Sequence, residues 1–275
     1  MKATDPMNSQ DPRTLQLAER LDAVKARIAA AQSTSTRSRT GQPDSGTPTL
    51  IVVTKFHPAA DVLRLQSLGV ADVGENRDQE AASKALEVAA AGAAPLRWHF
   101  IGQLQKNKAK SVAAYAHSVQ SIDRASLVTA LGNAMARELG TTGRAPLECF
   151  IQVDLSGAYA DLAETAGLAD AAAQAASGPS SRGGAAPSSI MELADQIASA
   201  PGLSLAGLMA VAPLGFEPEA AFELLATASA RLVAAHPNAT AISAGMSHDL
   251  EAAMAAGATH LRVGSDILGP RPVVL

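Results

Sequence analysis

The chain has 275 residues, 47% hydrophobic and 17% charged, enough apolar material for one α/β barrel or two smaller domains. A net charge of −4 and an aromatic content of 3% argue against a nucleic-acid surface, which needs cations and stacking rings, and against an anionic membrane as partner. One cysteine, Cys149, excludes an internal disulfide, and the six histidines (57, 99, 117, 236, 248 and 260) show no close metal-ligand spacing, so no metal site is expected.

The N-terminus is polar and lacks the apolar stretch of a signal peptide, and no run of roughly 18 apolar residues follows. A cytoplasmic location is expected, and Cys149, set in an apolar run, reads as core rather than nucleophile. Residues 14–32 place Leu17, Leu21, Val24, Ile28 and Ala31 on one stripe with charges between them, which predicts an amphipathic helix. Residues 33–47, rich in Ser, Thr, Arg, Gly and Pro, read as a flexible linker.

A regular alternation follows. Strands are expected at 49–54, 71–74, 97–101, 117–122, 147–155, 203–211, 239–243 and 259–263. Helices are expected at 59–68, 79–91, 107–115, 124–139, 190–199, 217–235 and 248–256. Eight such units predict an α/β fold of the (β/α)8 TIM-barrel type, one domain over 1–275, rather than an open doubly wound sheet. Few residues follow the last strand, so the N-terminal helix is expected to take the eighth place in the outer ring. Residues 158–189, rich in Ala, Gly and Ser, read as a low-complexity insertion, partly helical near 160–176, with no assigned chemistry.

In such a barrel the ligand groups come from the carboxyl ends of the strands. Lys55 ends the buried run Leu50–Thr54, so its amine belongs at the mouth, where desolvation favours the free amine that attacks a carbonyl carbon. The other mouth positions hold Glu75-Asn76-Arg77, His99 and the segment 102–108, Met209-Ala210-Val211, Ser243-Ala244-Gly245-Met246-Ser247-His248-Asp249, and Arg262 with Gly264-Ser265. Gly245 with Ser247 and Gly264 with Ser265 form two glycine-plus-hydroxyl turns after adjacent strands, the usual phosphate position in this architecture. Taken singly, Ser247 reads equally as a helix cap and Gly264 as a turn glycine. Arg262 has two readings: a buried ion pair with Asp266 or Glu75, or a guanidinium facing a ligand's ring nitrogen. A lysine amine, a phosphate cradle and an arginine together describe a site for pyridoxal 5′-phosphate.

The chain resembles the pyridoxal-phosphate homeostasis proteins, single-barrel relatives of the N-terminal domain of alanine racemase. The matching stretches are Leu50–Lys55 (LIVVTK), Val73–Glu80 (VGENRDQE), Trp98–Lys108 (WHFIGQLQKNK), His117–Asp123 (HSVQSID), Gly207–Ala212 (GLMAVA), Gly245–Asp249 (GMSHD) and Arg262–Gly269 (RVGSDILG). The resemblance implies that Lys55 forms a Schiff base with pyridoxal phosphate, that Ser247, Gly264 and Ser265 hold the phosphate, that Arg262 faces the pyridine nitrogen, and that Asn76 and Met209 line the pocket. Ser265 departs from the threonine expected there but keeps the hydroxyl. The segment His99–Lys108 is a family signature to which no role is assigned.

An arginine opposite the pyridine nitrogen disfavours its protonation and weakens the ring as an electron sink. Racemases resembling this fold add a tyrosine from a second, C-terminal domain of the partner subunit. No such domain is expected here, and neither Tyr115 nor Tyr159 is placed to serve. The resemblance therefore implies a monomeric carrier that binds pyridoxal phosphate and hands it to apo pyridoxal-phosphate enzymes without robust catalysis. The alternative is a pyridoxal-phosphate-dependent amino-acid racemase.

Overall fold

The computed structural model describes residues 11–34, 46–155, 183–213 and 217–271. Eight parallel strands close in sequence order into a barrel: β1 (Thr49–Val53), β2 (Asp72–Glu75), β3 (Arg97–Phe100), β4 (Ser118–Ile122), β5 (Leu147–Gln152), β6 (Leu203–Met209), β7 (Ala241–Ser243) and β8 (His260–Val263). Around them lie α1 (Pro12–Thr34), α2 (Ala59–Ser67), α3 (Asp78–Ala90), α4 (Ala109–Tyr115), α5 (Ala125–Thr142), α6 (Ile190–Ser199), α7 (Pro218–Ala235), α8 (Leu250–Ala255) and α9 (Ser265–Leu268).

Every strand expected from the sequence is present. β5 and β6 are shorter than expected, because the apolar runs continue into loops after the ladder has ended, and β7 begins two residues later than expected. The short helix α9 was not expected. Residues 35–45 of the expected linker and residues 158–182 of the expected insertion, Tyr159 among them, lie outside the described residues. The end of that insertion is not a free loop: Ala185 pairs in parallel with Val153, and its N–H donates to the Gln152 carbonyl at 2.7 Å.

Helix α1 holds the expected place in the outer ring. Leu17, Leu21, Val24 and Ile28 are each no more than 2% exposed, so the predicted stripe faces inward along its length. On one side Arg13 pairs with Asp61 of α2 at 2.7 Å, and on the other Arg27 pairs with Glu251 of α8 at 2.9 Å and Asp266 of α9 at 2.8 Å. Between helices and barrel lies the main apolar layer, in which Val52, Val73, Val119, Ile151, Leu208, Leu261 and Val263 meet helix residues such as Val62, Leu131 and Leu225. Each fully buried aliphatic side chain there stabilises the fold by about 1.5–3 kcal/mol. Cys149 belongs to this layer, and burial pushes its thiol pKa up, so it is core as expected.

Candidate functional site

Register decides which side chains fill the barrel. Side-by-side residues of parallel strands face the same way, and alternate residues face opposite ways. The pairs Ile51↔Arg262, Val53↔Gly74, Gly74↔His99, Gln152↔Met209 and Met209↔Ser243 therefore mark one continuous inner face. Lys55, Asn76 and Gly264 each follow an inner-face residue by two positions. Glu75 has the opposite parity and turns outward to α3, so it does not line the mouth as the sequence grouping implied.

Lys55 is half-buried at the end of β1. The backbone on both sides of it is held by a buried charged cluster. Lys84 of α3 donates to the Thr54 carbonyl at 2.8 Å, to Glu75 at 2.7 Å and to Glu80 at 2.7 Å. Glu80 in turn accepts the Phe56 N–H at 2.5 Å, and the Thr54 hydroxyl donates to Glu75 at 2.7 Å. Phe56 has φ = 69°, a strained conformation for a non-glycine residue, and the Glu80 contact holds it there. Burial pushes the Glu75 pKa up, with Lys84 opposing, and the second Glu75 carboxylate oxygen is buried without a hydrogen-bond partner among the described residues.

Arg262 is 4% exposed and donates to the Ser243 hydroxyl at 2.6 Å and the Ala210 carbonyl at 2.8 Å. Of its two readings, the ion pair is not formed: Asp266 pairs with Arg27 and Glu75 with Lys84. The reason is geometric, since Asp266 sits on the outer side of the turn and Glu75 on the outer face of β2. Burial lowers the Arg262 pKa to about 10, which leaves the guanidinium charged at neutral pH.

Behind Arg262 runs a chain of hydrogen bonds of fixed polarity. The Ser243 hydroxyl donates to the Gln120 carbonyl oxygen at 2.8 Å, and the Gln120 amide lies 3.5 Å from His99 Nδ1. His99 Nε2 is 2.8 Å from the Asp72 carboxylate, which accepts only, so the ring proton sits on Nε2 and Nδ1 accepts from Ser118 at 2.7 Å. Burial lowers the His99 pKa, which favours this neutral tautomer. Burial works against the Asp72 carboxylate, but hydrogen bonds from His99 and Arg97 outweigh it and hold its pKa well below the usual range. His99 is thus the inner end of a polar strut that terminates on Arg262.

The two glycine-plus-hydroxyl turns meet. Ser247 Oγ lies 3.2 Å from Ser265 Oγ, although 18 residues separate them in sequence. Gly245 has φ = 89°, and a Cβ there would come within 2.7 Å of Ala253 Cβ, so only glycine fits. A Cβ at Gly264 would stand 3.2 Å from the Val53 carbonyl oxygen. From outside, Arg27 holds both turns at once, donating to the Ser247 carbonyl at 3.0 Å and to Asp266 at 2.8 Å. Met209 is 2% exposed on the inner face, and Asn76 Oδ1 is buried without a hydrogen-bond partner among the described residues.

These positions can be compared with known proteins. The family described as alanine racemase, N-terminal domain, matches residues 20–272. The pyridoxal phosphate homeostasis protein of Mycobacterium leprae (strain TN) is 37% identical over 271 residues, 95% of either chain. This chain belongs to the pyridoxal phosphate homeostasis protein family. The homeostasis protein of Escherichia coli (strain K12) is 33% identical over 258 residues, 93% of this chain and 97% of that one. Among solved structures, PipY of Synechococcus elongatus PCC7942 with PLP bound matches with a TM-score of 0.69 at 29% identity, covering 92% of this chain and 100% of that one.

In this homeostasis-family barrel the sequence analysis missed Lys84, Glu80, Arg27 and Gln120, and it placed Ser243 at the mouth without giving it a role. Glu80 and Lys84 carried a usable signal, an acid four residues before a lysine on one helix face. Arg27 carried none, because a charged residue beside an apolar stripe reads as solvated. Gln120 and Ser243 lie on strands whose closure across the barrel only the fold supplies. Tyr115, whose hydroxyl oxygen is buried, stands at the end of α4, and burial together with the Asp78 and Glu75 charges raises its pKa.

Proposed function

We propose that this chain binds pyridoxal 5′-phosphate as a Schiff base on Lys55 and takes part in its intracellular homeostasis and transfer, as one monomeric binding unit without robust catalysis. The observation that carries the reading is Arg262, a charged guanidinium inside the barrel whose hydrogen bonds, among the described residues, go to a hydroxyl and a carbonyl. A buried cation with no carboxylate hydrogen-bonded to it among the described residues suits an electron-rich ring nitrogen. The other residues fit the same group. The Ser247 and Ser265 hydroxyls converge, and Gly264 leaves backbone access where a side chain would crowd Val53, as a phosphate tail requires. Asn76 offers an unsatisfied acceptor and Met209 an apolar wall.

When bound, the cofactor supplies the aldehyde carbon with which the Lys55 amine condenses. The chain's own residues orient and hold. Lys84 and Glu80 fix the backbone around Lys55, the strut from His99 through Gln120 and Ser243 fixes Arg262, and Arg27 fixes the two serine turns. Arg262 would set its positive charge against the ring nitrogen and so disfavour its protonation, which would favour carriage over carbanion chemistry. Tyr115 is a poor candidate for a second proton-transfer base, because its raised pKa holds the hydroxyl neutral. Apo pyridoxal-phosphate enzymes are the proposed recipients.

The test is borohydride reduction of the protein loaded with pyridoxal phosphate, followed by peptide mass analysis. A reduced adduct on Lys55 is expected, and none in a folded Lys55→Ala variant. An adduct on another lysine would overturn the assignment. Incubation with single L-amino acids and chiral analysis separates carrier from racemase: turnover well above that of free cofactor would favour the racemase.

A further inference from the structure

Phe56, next to Lys55, gathers three cations. The Arg271 guanidinium carbon lies 3.9 Å from its ring centroid, that of Arg77 lies 5.2 Å away, and Lys55 Nζ lies 5.9 Å away. Lys55 and Phe56 follow β1, Arg77 follows β2, and Arg271 follows the short helix after β8. β8, β1 and β2 are adjacent strands, so the three charges meet at one sector of the mouth. Among the described residues no carboxylate pairs with Arg77, Arg271 or Lys55. Glu80, three residues after Arg77, is committed through Oε1 to the Phe56 N–H and Lys84. Cation–π contact with the ring orients the guanidinium groups but neutralises nothing. Arg77 and Arg271 are exposed to solvent, and an anion set between like charges around one ring relieves their mutual repulsion.

We propose that Arg77 and Arg271 form a carboxylate subsite beside Lys55, and that its ligand is a small α-amino acid. The proposal deepens the function given above and rests on Lys55 as the cofactor's lysine. A guanidinium fork matches the planar carboxylate, with paired charge-assisted hydrogen bonds. The phosphate has a separate place, at Ser247 and Ser265 after β7 and β8, so these arginines are not needed for it. An α-amino acid carries the carboxylate one carbon from an amine, and that amine is the group that competes with a lysine for an aldehyde. Seated by its carboxylate, it presents this amine toward Lys55. Free amino acids then bear directly on how firmly the protein keeps its cofactor.

Two measurements test this and separate it from the Schiff-base reading. The first titrates the cofactor-free protein, labelled with nitrogen-15, with L-lactate, which has the carboxylate and no amine. The Arg77 and Arg271 Nε–H signals and the Phe56 amide are followed, with L-lactamide and sodium chloride at matched ionic strength as controls. A saturable shift with lactate alone is expected, roughly tenfold weaker in Arg77→Ala or Arg271→Ala and lost in the double variant. The Arg77→Lys/Arg271→Lys protein should retain part of the affinity, since charge survives while the fork does not. The second measurement loads the protein with pyridoxal phosphate, adds L-alanine or L-alaninamide, and follows release of the cofactor from Lys55 by borohydride trapping. L-Alanine should be the more effective in the wild type, relative to the same pair acting on free cofactor, and this preference should disappear in the double variant. Equal shifts with lactamide or chloride, or a double variant that matches the wild type, overturn the subsite. A missing Lys55 adduct at the start overturns the Schiff-base reading instead.

Discussion

Replacing Lys84 by methionine tests whether the cluster behind Lys55 is what holds it. Lys84 is buried, with side-chain exposure of 7%, and its ammonium group bonds to Glu75, Glu80 and the Thr54 carbonyl. Methionine keeps most of the volume, so packing loss is small, while Glu75, 1% exposed, loses its cation. Breaking a buried pair on one side costs about 3–5 kcal/mol while the remaining charge persists. Glu75 can escape by protonating, and burial already raises its pKa. The sign follows. A carboxyl whose folded pKa exceeds its unfolded value of about 4.3 keeps full stability below that value and loses it as pH rises through the folded pKa. Lys84→Met should therefore be mild near pH 5 and approach the full penalty near pH 8, as measured by urea unfolding at both values. Adding Glu75→Gln should recover about 2 kcal/mol at pH 8. The same variant should trap less cofactor on residue 55 while remaining folded, because the Thr54 carbonyl and Glu80 lose the ammonium group that ties them together beside Lys55. A Lys84→Met loss that is below about 1 kcal/mol, or equal at both pH values, would show that the cluster is not a charged clamp.

Three further outcomes are expected. Ser247→Ala should weaken cofactor retention by about 1–2 kcal/mol, the scale of one charge-assisted hydrogen bond, and unchanged affinity by fluorescence titration would remove Ser247 from the cradle. Arg27→Ala should loosen both serine turns together, costing about 1 kcal/mol of stability because the side chain is partly solvated, with amide exchange rising around 247 and 265 jointly; exchange rising at one turn alone would contradict a shared tie. Burial lowers the His260 pKa to about 4, so the unfolded chain takes up this proton first and stability should fall as pH drops from about 6.5 toward 4. His260→Gln should flatten that slope in urea titrations, and an unchanged slope would assign the acid sensitivity elsewhere, with His99 the next candidate.

Much of the fold was readable from apolar periodicity. Leu17, Leu21, Val24 and Ile28 repeat at helical spacing, and each lies buried against the barrel. Leu50 to Val53 form an apolar, mostly β-branched run short enough to be only a strand, and parallel strands separated by helices leave few other closures. Local chemistry likewise marked Lys55, Ser247, Gly264 and Arg262, because strand ends of a barrel are where polar residues collect. The partners of those residues were not readable. Arg262 was offered Asp266 and Glu75 by proximity in sequence or by charge, and it took Ser243 and the Ala210 carbonyl instead.

Periodicity reports which side of an element is buried, and it does so from neighbours within one or two turns of chain. Amphipathic spacing and strand-end placement therefore sufficed for the eight-stranded architecture and for the ring of candidate ligand groups. Only closure of the barrel brought Gln120 to Ser243, 123 residues away, and Arg27 to Ser247, 220 residues away. A hydrogen bond needs its two atoms within about 3 Å, a condition on tertiary position that no local pattern carries.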